Sequence, residues 1–116
     1  MLVHAFEILA DPVRRRIVEL LAGGELSAGE VTDVISTQFG ISQPAVSAQL
    51  RVLRDAGFAA VRPQGRRRLY AIRPESFDEI DTWLTTNRRR WAQALDALGT
   101  EIARGRSARN KGDSHD

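Results

Sequence analysis

Large apolar residues recur at helical spacing along most of the chain and give way once to short strand-like runs. Residues 2–9 (LVHAFEIL) place Leu2, Phe6 and Leu9 on one stripe, which predicts a short first helix. Asp11-Pro12 follows. Asp is a favoured N-cap and Pro a favoured first helical residue, so a second helix begins there. Its inward face reads Val13, Ile17, Leu20 and Leu21, and Gly23-Gly24 stops it. Ser27 and Glu30 have capping-box spacing and open a third helix. That helix carries Val31, Val34 and Ile35 on one face, with Phe39 a turn later, and Gly40 ends it. Ser42 caps a fourth helix through QPAVSAQLRVLRDAG, with Pro44 in its first turn, Val46, Leu50 and Leu53 inward, and Gly57 as the stop.

Then the period changes. FAAVRP, the turn PQGR and RRLYAI predict two short strands joined as a hairpin. From about Pro74 the helical pattern returns, with Phe77, Ile80, Leu84, Trp91, Leu95, Leu98 and Ile102 at steps of three, four or seven. Polar Asn87 fills the one missing turn. A helix of nearly thirty residues would extend roughly 45 Å, further than a small domain can cover. The remainder, RGRSARNKGDSHD, has no apolar residue larger than alanine and is expected to be a disordered tail. The expected fold is therefore mainly α with a small β-hairpin: a winged helix-turn-helix of about five helices plus a two-stranded wing. Residues 1–103 form the folded domain and 104–116 the polar tail.

Composition narrows the chemistry. The 116-residue chain has no cysteine, which excludes disulfides, thiolate metal sites and cysteine nucleophiles. Its two histidines, His4 and His115, lie near the ends, so neither a metal cluster nor a histidine base can be assembled. No paired carboxylates and no phosphate-binding glycine loop occur; Gly23-Gly24 is a helix stop. An enzyme is not expected, and no cofactor. No apolar run approaches the roughly 20 residues of a membrane span, and the first residues lack the marks of an export signal, so the expected location is cytoplasmic.

Net charge is only +2, but its distribution is uneven. Residues 42–73 hold seven arginines (51, 54, 62, 66, 67, 68 and 73) against one acid, Asp55, whereas Glu75, Asp78, Glu79 and Asp81 collect further on. One positive face is what a phosphate backbone requires. The outward face of the fourth helix offers Ser42, Gln43, Ala45, Ser47, Ala48, Gln49 and Arg51, short or hydrogen-bonding side chains of the kind that read base edges in a major groove. On the hairpin, Arg62, Gln64, Arg66, Arg67 and Arg68 surround a tip with no acid, and four arginines so close repel one another unless an anion lies between them. The triplets Arg14–Arg16 and Arg88–Arg90 point in several directions on their helices and are assigned to ion pairs. Trp91, Leu95, Leu98 and Ile102 extend past the hairpin, where nothing in their own chain is left to cover them. Burying each is worth about 1.5–3 kcal/mol, so a partner subunit is the economical cover, with Leu2, Phe6 and Leu9 joining it.

The segments ADPVRRRIVELLAGGELSAGEV and GISQPAVSAQLRVLRDAGFAAVRPQGRRRLYAI resemble the ArsR/SmtB family of winged-helix repressors, over about residues 4–85. SQPAVSAQLRVLRDAG is the strongest match, position by position along the family's recognition helix. The resemblance implies a homodimer, held by its first and last helices, that represses transcription from an inverted-repeat operator in double-stranded DNA. The family's contact positions carry over to Gln43, Ser47, Gln49 and Arg51, and on the wing to Gln64, Arg66 and Arg67. Its cysteine-pair metal site does not carry over. In Glu30-Val31-Thr32-Asp33-Val34, threonine and valine stand where thiolates would be. A second family site needs histidine on the last helix, and residues 74–104 contain none. The C-terminal part is similar to a metal-independent, autorepressor-like branch. The alternative is a winged-helix module that binds another protein and no DNA. No small-molecule inducer is assigned.

Overall fold

Local capping chemistry sets the helix boundaries. The computed structural model describes the backbone of residues 2–113 and the side chains of residues 4–105. Helix α1 spans Leu2–Ala10 and α2 spans Pro12–Ala22. Between them Asp11 Oδ1 accepts from the backbone N–H groups of Val13 (2.7 Å) and Arg14 (3.2 Å), which would otherwise lack partners. A two-residue strand β1, Leu26–Ser27, leads into α3, Ala28–Phe39. There Ser27 Oγ accepts from the Glu30 N–H (3.1 Å), and Glu30 Oε1 accepts from the Ser27 N–H (3.0 Å), completing the predicted capping box. Ser27→Ala is expected to lower stability by about 1 kcal/mol, the usual cost of losing such a cap, read as a lower denaturant midpoint at unchanged slope.

Gly40 separates α3 from α4, Gln43–Asp55, and sits at φ 66°, a left-handed turn that favours glycine. Its N–H donates to Ser36 O (2.9 Å), which closes α3. Two residues on, Ser42 Oγ accepts from the Ala45 N–H (3.3 Å) to open α4. A tight helix-turn-helix follows directly from this stop and start.

Strands β2 (Ala59–Gln64) and β3 (Arg67–Ile72) form the predicted hairpin. Its loop is two residues, Gly65-Arg66, so Pro63 and Gln64 fall within β2, one step short of the turn assigned to them. Pro63 is tolerated because β2 is an edge strand, where a missing N–H costs no ladder bond on the open side. The wing has three strands rather than two. β1 pairs antiparallel with β3 through Leu26↔Tyr70 and Ser27↔Leu69, giving the order β1-β3-β2. Two residues are too few to show an alternating pattern, so this strand left no sequence signal.

The core gathers Ile17 and Leu21 of α2, Val31 and Ile35 of α3, and Val46, Leu50 and Leu53 of α4, with Phe58 just before β2 and Tyr70 of β3. The inward face of α4 is the one predicted. On α1 the buried residues are Ala5 and Ile8, and Leu9 packs partly against the same core, so Leu9 is already engaged within its own chain. Phe6 stays exposed, and the Leu2 side chain lies outside the described residues. Phe58 meets Phe77 edge to face at 5.3 Å, next to a short 3-10 turn, Pro74–Phe77.

The chain divides into two compact units, residues 1–80 and residues 81–116. The sequence places one folded domain over 1–103. The second unit comprises most of α5, Asp78–Asp113, whose 36 residues amount to about 54 Å of helix. The helix continues to Asp113, past residue 103, where a tail is expected to begin. Arginine and alanine are strong helix formers, and Arg104 pairs with Glu101 one turn back (3.4 Å) across that boundary. Asn87 Nδ2 donates to Trp83 O (2.8 Å), and Trp83 meets Trp91 edge to face at 6.2 Å. No helix among the described residues is long and apolar enough to cross a membrane.

Candidate nucleic-acid interface

With Val46, Leu50 and Leu53 inward, the helical period turns Pro44, Ala48, Arg51 and Asp55 directly outward, and all four are exposed. Ser42 and Gln43 are exposed at the start of the helix, and Ser42 spends its hydroxyl on the cap. Ala45 and Ser47 are half-buried on the flanks. Val52 is 38% exposed beside them, an open apolar side chain the sequence reading passed over. Gln49 is placed differently from its neighbours. It is half-buried at the flank towards α2, and its Oε1 accepts from Arg14 Nη1 (3.0 Å).

The wing arginines divide into two groups. Directly opposed residues on antiparallel strands share a face, so Arg62↔Leu69 and Gln64↔Arg67 put Arg62, Gln64 and Arg67 on one side. Pro63↔Arg68 puts Arg68 on the other. On the first side, Arg62 grips Glu25 with two hydrogen bonds, Nε to Oε2 and Nη2 to Oε1, each 2.7 Å. Arg67 Nη2 donates to Glu30 Oε1 (2.7 Å), the same oxygen that completes the α3 capping box. Arg66 in the loop and Arg68 on the opposite face make no hydrogen bond or ion pair among the described residues. Both line an open groove of about 380 Å³ between the wing and the start of α3, with Arg67, Ser27, Ala28 and Gly29.

The carboxylates respond to these partners. The hydrogen bond from Arg62 holds the Glu25 carboxyl below its ordinary value, opposed by desolvation and helped by the charge of Arg62. Glu30 is also lowered, first by hydrogen bonding with Ser27 and then by Arg67. Arg62 is raised in turn by Glu25. Of the arginines assigned to ion pairs, Arg14 lies 3.7 Å from Asp11, and Arg16 lies 3.8 Å from Glu19 and donates to Gln38 (3.0 Å), whereas Arg15, Arg88, Arg89 and Arg90 make no ion pair among the described residues. At the position of the family's cysteine pair, Thr32 is half-buried, and its carbonyl accepts from the Ser36 hydroxyl.

A capped helix pair around a tight turn, its second helix presenting polar and small side chains beside an arginine-tipped hairpin, defines a winged helix-turn-helix. Comparison with known proteins agrees. Residues 9–62 match the family model described as a helix-turn-helix domain. The chain is 37% identical over 102 residues to the HTH-type transcriptional regulator Rv2034 of Mycobacterium tuberculosis, covering 84% of this chain and 92% of that protein. It is 28% identical over 81 residues to the transcriptional repressor SdpR of Bacillus subtilis, covering 70% and 86%. Among solved structures, an ArsR family transcriptional regulator superposes with a TM-score of 0.65 at 30% identity, covering 78% of this chain and 89% of that one. The homodimeric winged helix-turn-helix DNA-binding domain of a possible ArsR-family regulator from Mycobacterium bovis superposes with a TM-score of 0.54 at 26% identity, covering 76% and 78%. The chain belongs to the ArsR family of helix-turn-helix transcriptional regulators.

Proposed function

We propose that this protein is a homodimeric transcriptional repressor that binds an inverted-repeat operator in double-stranded DNA, in the bacterial cytoplasm, and catalyses no reaction. The observation that carries the reading is the outward face of α4. It presents Ala48 and Arg51, with Gln43 at its start and Ser47 on its flank, and stands beside a hairpin whose Arg66 and Arg68 pair with no carboxylate among the described residues. In this reading α4 lies in the major groove. Ala45, Ala48 and Val52 let the backbone approach and meet thymine methyls, while Gln43, Ser47, Gln49 and Arg51 meet base edges or phosphate. Ser42 and Gln64 contact the sugar-phosphate backbone at the edges. Arg66 and Arg68 neutralise phosphates, and Arg62 and Arg67 brace the wing against Glu25 and Glu30. The dimer forms through Trp91, Leu95, Leu98 and Ile102 of α5, and Phe6 of α1 also contributes apolar surface to it. Two recognition helices then enter successive major grooves about 34 Å apart, which requires a two-fold symmetric site.

A mobility-shift titration against duplexes from the region upstream of its own coding sequence tests this. Two subunits should bind per site, with a dissociation constant in the range of about 10⁻⁸–10⁻¹¹ M that rises steeply with salt. Absence of salt-dependent duplex binding, or binding of one subunit per site, would refute the reading.

A further inference from the structure

One partly buried cation ties the recognition helix to the elements behind it. The Arg14 side chain is 19% exposed and ends among four acceptors. Nε donates to Ile8 O (2.8 Å) and Nη2 to Glu7 O (3.3 Å), satisfying carbonyls at the end of α1 that have no partner within that helix. Nη1 donates to Gln49 Oε1 (3.0 Å) and lies 3.7 Å from Asp11 Oδ2. A guanidinium can only donate, so the part of Gln49 that faces it must be the carbonyl oxygen. The amide nitrogen of Gln49 has no hydrogen-bond partner among the described residues. It is not sealed in either, since no buried side-chain nitrogen or oxygen described lacks a partner. Gln49 is therefore turned with its acceptor inward and its two N–H donors towards solvent.

We infer that Arg14 is a positioning residue that makes Gln49 meet DNA as a hydrogen-bond donor. The inference rests on the reading that α4 occupies the major groove. A freely rotating glutamine suits adenine, accepting from N6 and donating to N7. With Oε1 held on the protein side, the adenine N6 group loses that acceptor. Guanine, with acceptors at both O6 and N7, and thymine, with O4, keep their partner, and the cytosine N4 donor is rejected. Turning Gln49 over would place its NH₂ against the guanidinium, donor to donor. Arg14 cannot easily withdraw, because the carbonyls of Glu7 and Ile8 hold it in place.

Selection from a random duplex pool with wild-type protein, Arg14→Met and Gln49→Glu tests the assignment. The wild type is expected to favour guanine or thymine over cytosine by about tenfold at one position of each half-site, the order one good side chain–base hydrogen-bond pair supplies. Gln49→Glu should reverse that position towards cytosine, one carboxylate oxygen staying with Arg14 and the other accepting from N4. Arg14→Met should raise adenine to the level of guanine there, with thermal melting showing that the variant is folded. A consensus left unchanged by Gln49→Glu overturns the inference, and so does a folded Arg14→Met with the wild-type preference. If Arg14→Met does not fold, Gln49→Glu decides alone. A pool in which the wild type enriches no sequence overturns the groove reading itself, and this inference with it.

Discussion

Replacing Arg66 and Arg68 together by alanine is expected to weaken binding to every duplex by about a hundredfold at physiological salt. The slope of log K against log salt should become shallower by about 1.8, since each phosphate contact releases roughly 0.9 of a counterion. Both side chains are exposed and have no carboxylate nearby in the described chain, so nothing competes with phosphate for them. Arg67→Ala is expected to change the slope far less. Its guanidinium is committed to Glu30 at 2.7 Å, and Arg62 is held by two equally short bonds to Glu25. Such exposed pairs contribute little to stability. Their effect is on where the charge sits, because a carboxylate beside an arginine cancels much of its pull on a phosphate. Fluorescence anisotropy over a salt series would decide the matter. An Arg67→Ala slope shift as large as that of Arg66→Ala would show that the ion pair opens on DNA and that all the wing arginines act alike.

The pairing of Arg62 and Arg67 with carboxylates also marks the boundary of what is legible in the residues. Helix limits were legible because their causes are local. Asp11 caps the next two residues but one, Ser27 and Glu30 cap each other, and Gly40 supplies a backbone angle. The inward face of α4 was legible because a 3.6-residue period places Val46, Leu50 and Leu53 together. The pairs that sort the polar residues are long-range. Arg62–Glu25 and Arg67–Glu30 each span 37 residues, and Arg14–Gln49 spans 35. The first two depend on β1 joining the sheet beside β3, an event two residues long with no periodic trace. The residues alone therefore show four hairpin arginines without the carboxylates that two of them meet, and Gln49 without Arg14. On α1 the apolar stripe of Leu2, Phe6 and Leu9 does not mark Ala5, whose small side chain lies buried in the core.

The second large effect is expected on α5. Leu95→Glu combined with Leu98→Glu should convert the protein to a monomer in sedimentation experiments and reduce operator affinity by at least a hundredfold. Trp91, Leu95, Leu98 and Ile102 are exposed by 50%, 67%, 56% and 48% of their surfaces, and steps of four, three and four align them along one seam. Full burial of such side chains is worth about 1.5–3 kcal/mol each, so a partner helix covering the remaining half of four of them, twice over by symmetry, gains enough to hold a dimer. Two glutamates placed in that seam would be desolvated without partners and would face their own symmetry mates, adding like-charge repulsion to the lost apolar area. The core of residues 1–80 does not include these positions, so circular dichroism and the binding of nonspecific duplex should survive the change. Affinity for the two-fold site should fall because each half-site must then be found separately, without the effective concentration that a linked second helix provides. A double variant that remains dimeric, or a monomer that still binds the full operator as tightly as the wild type, would mean that the subunits associate elsewhere or that one wing and one helix suffice.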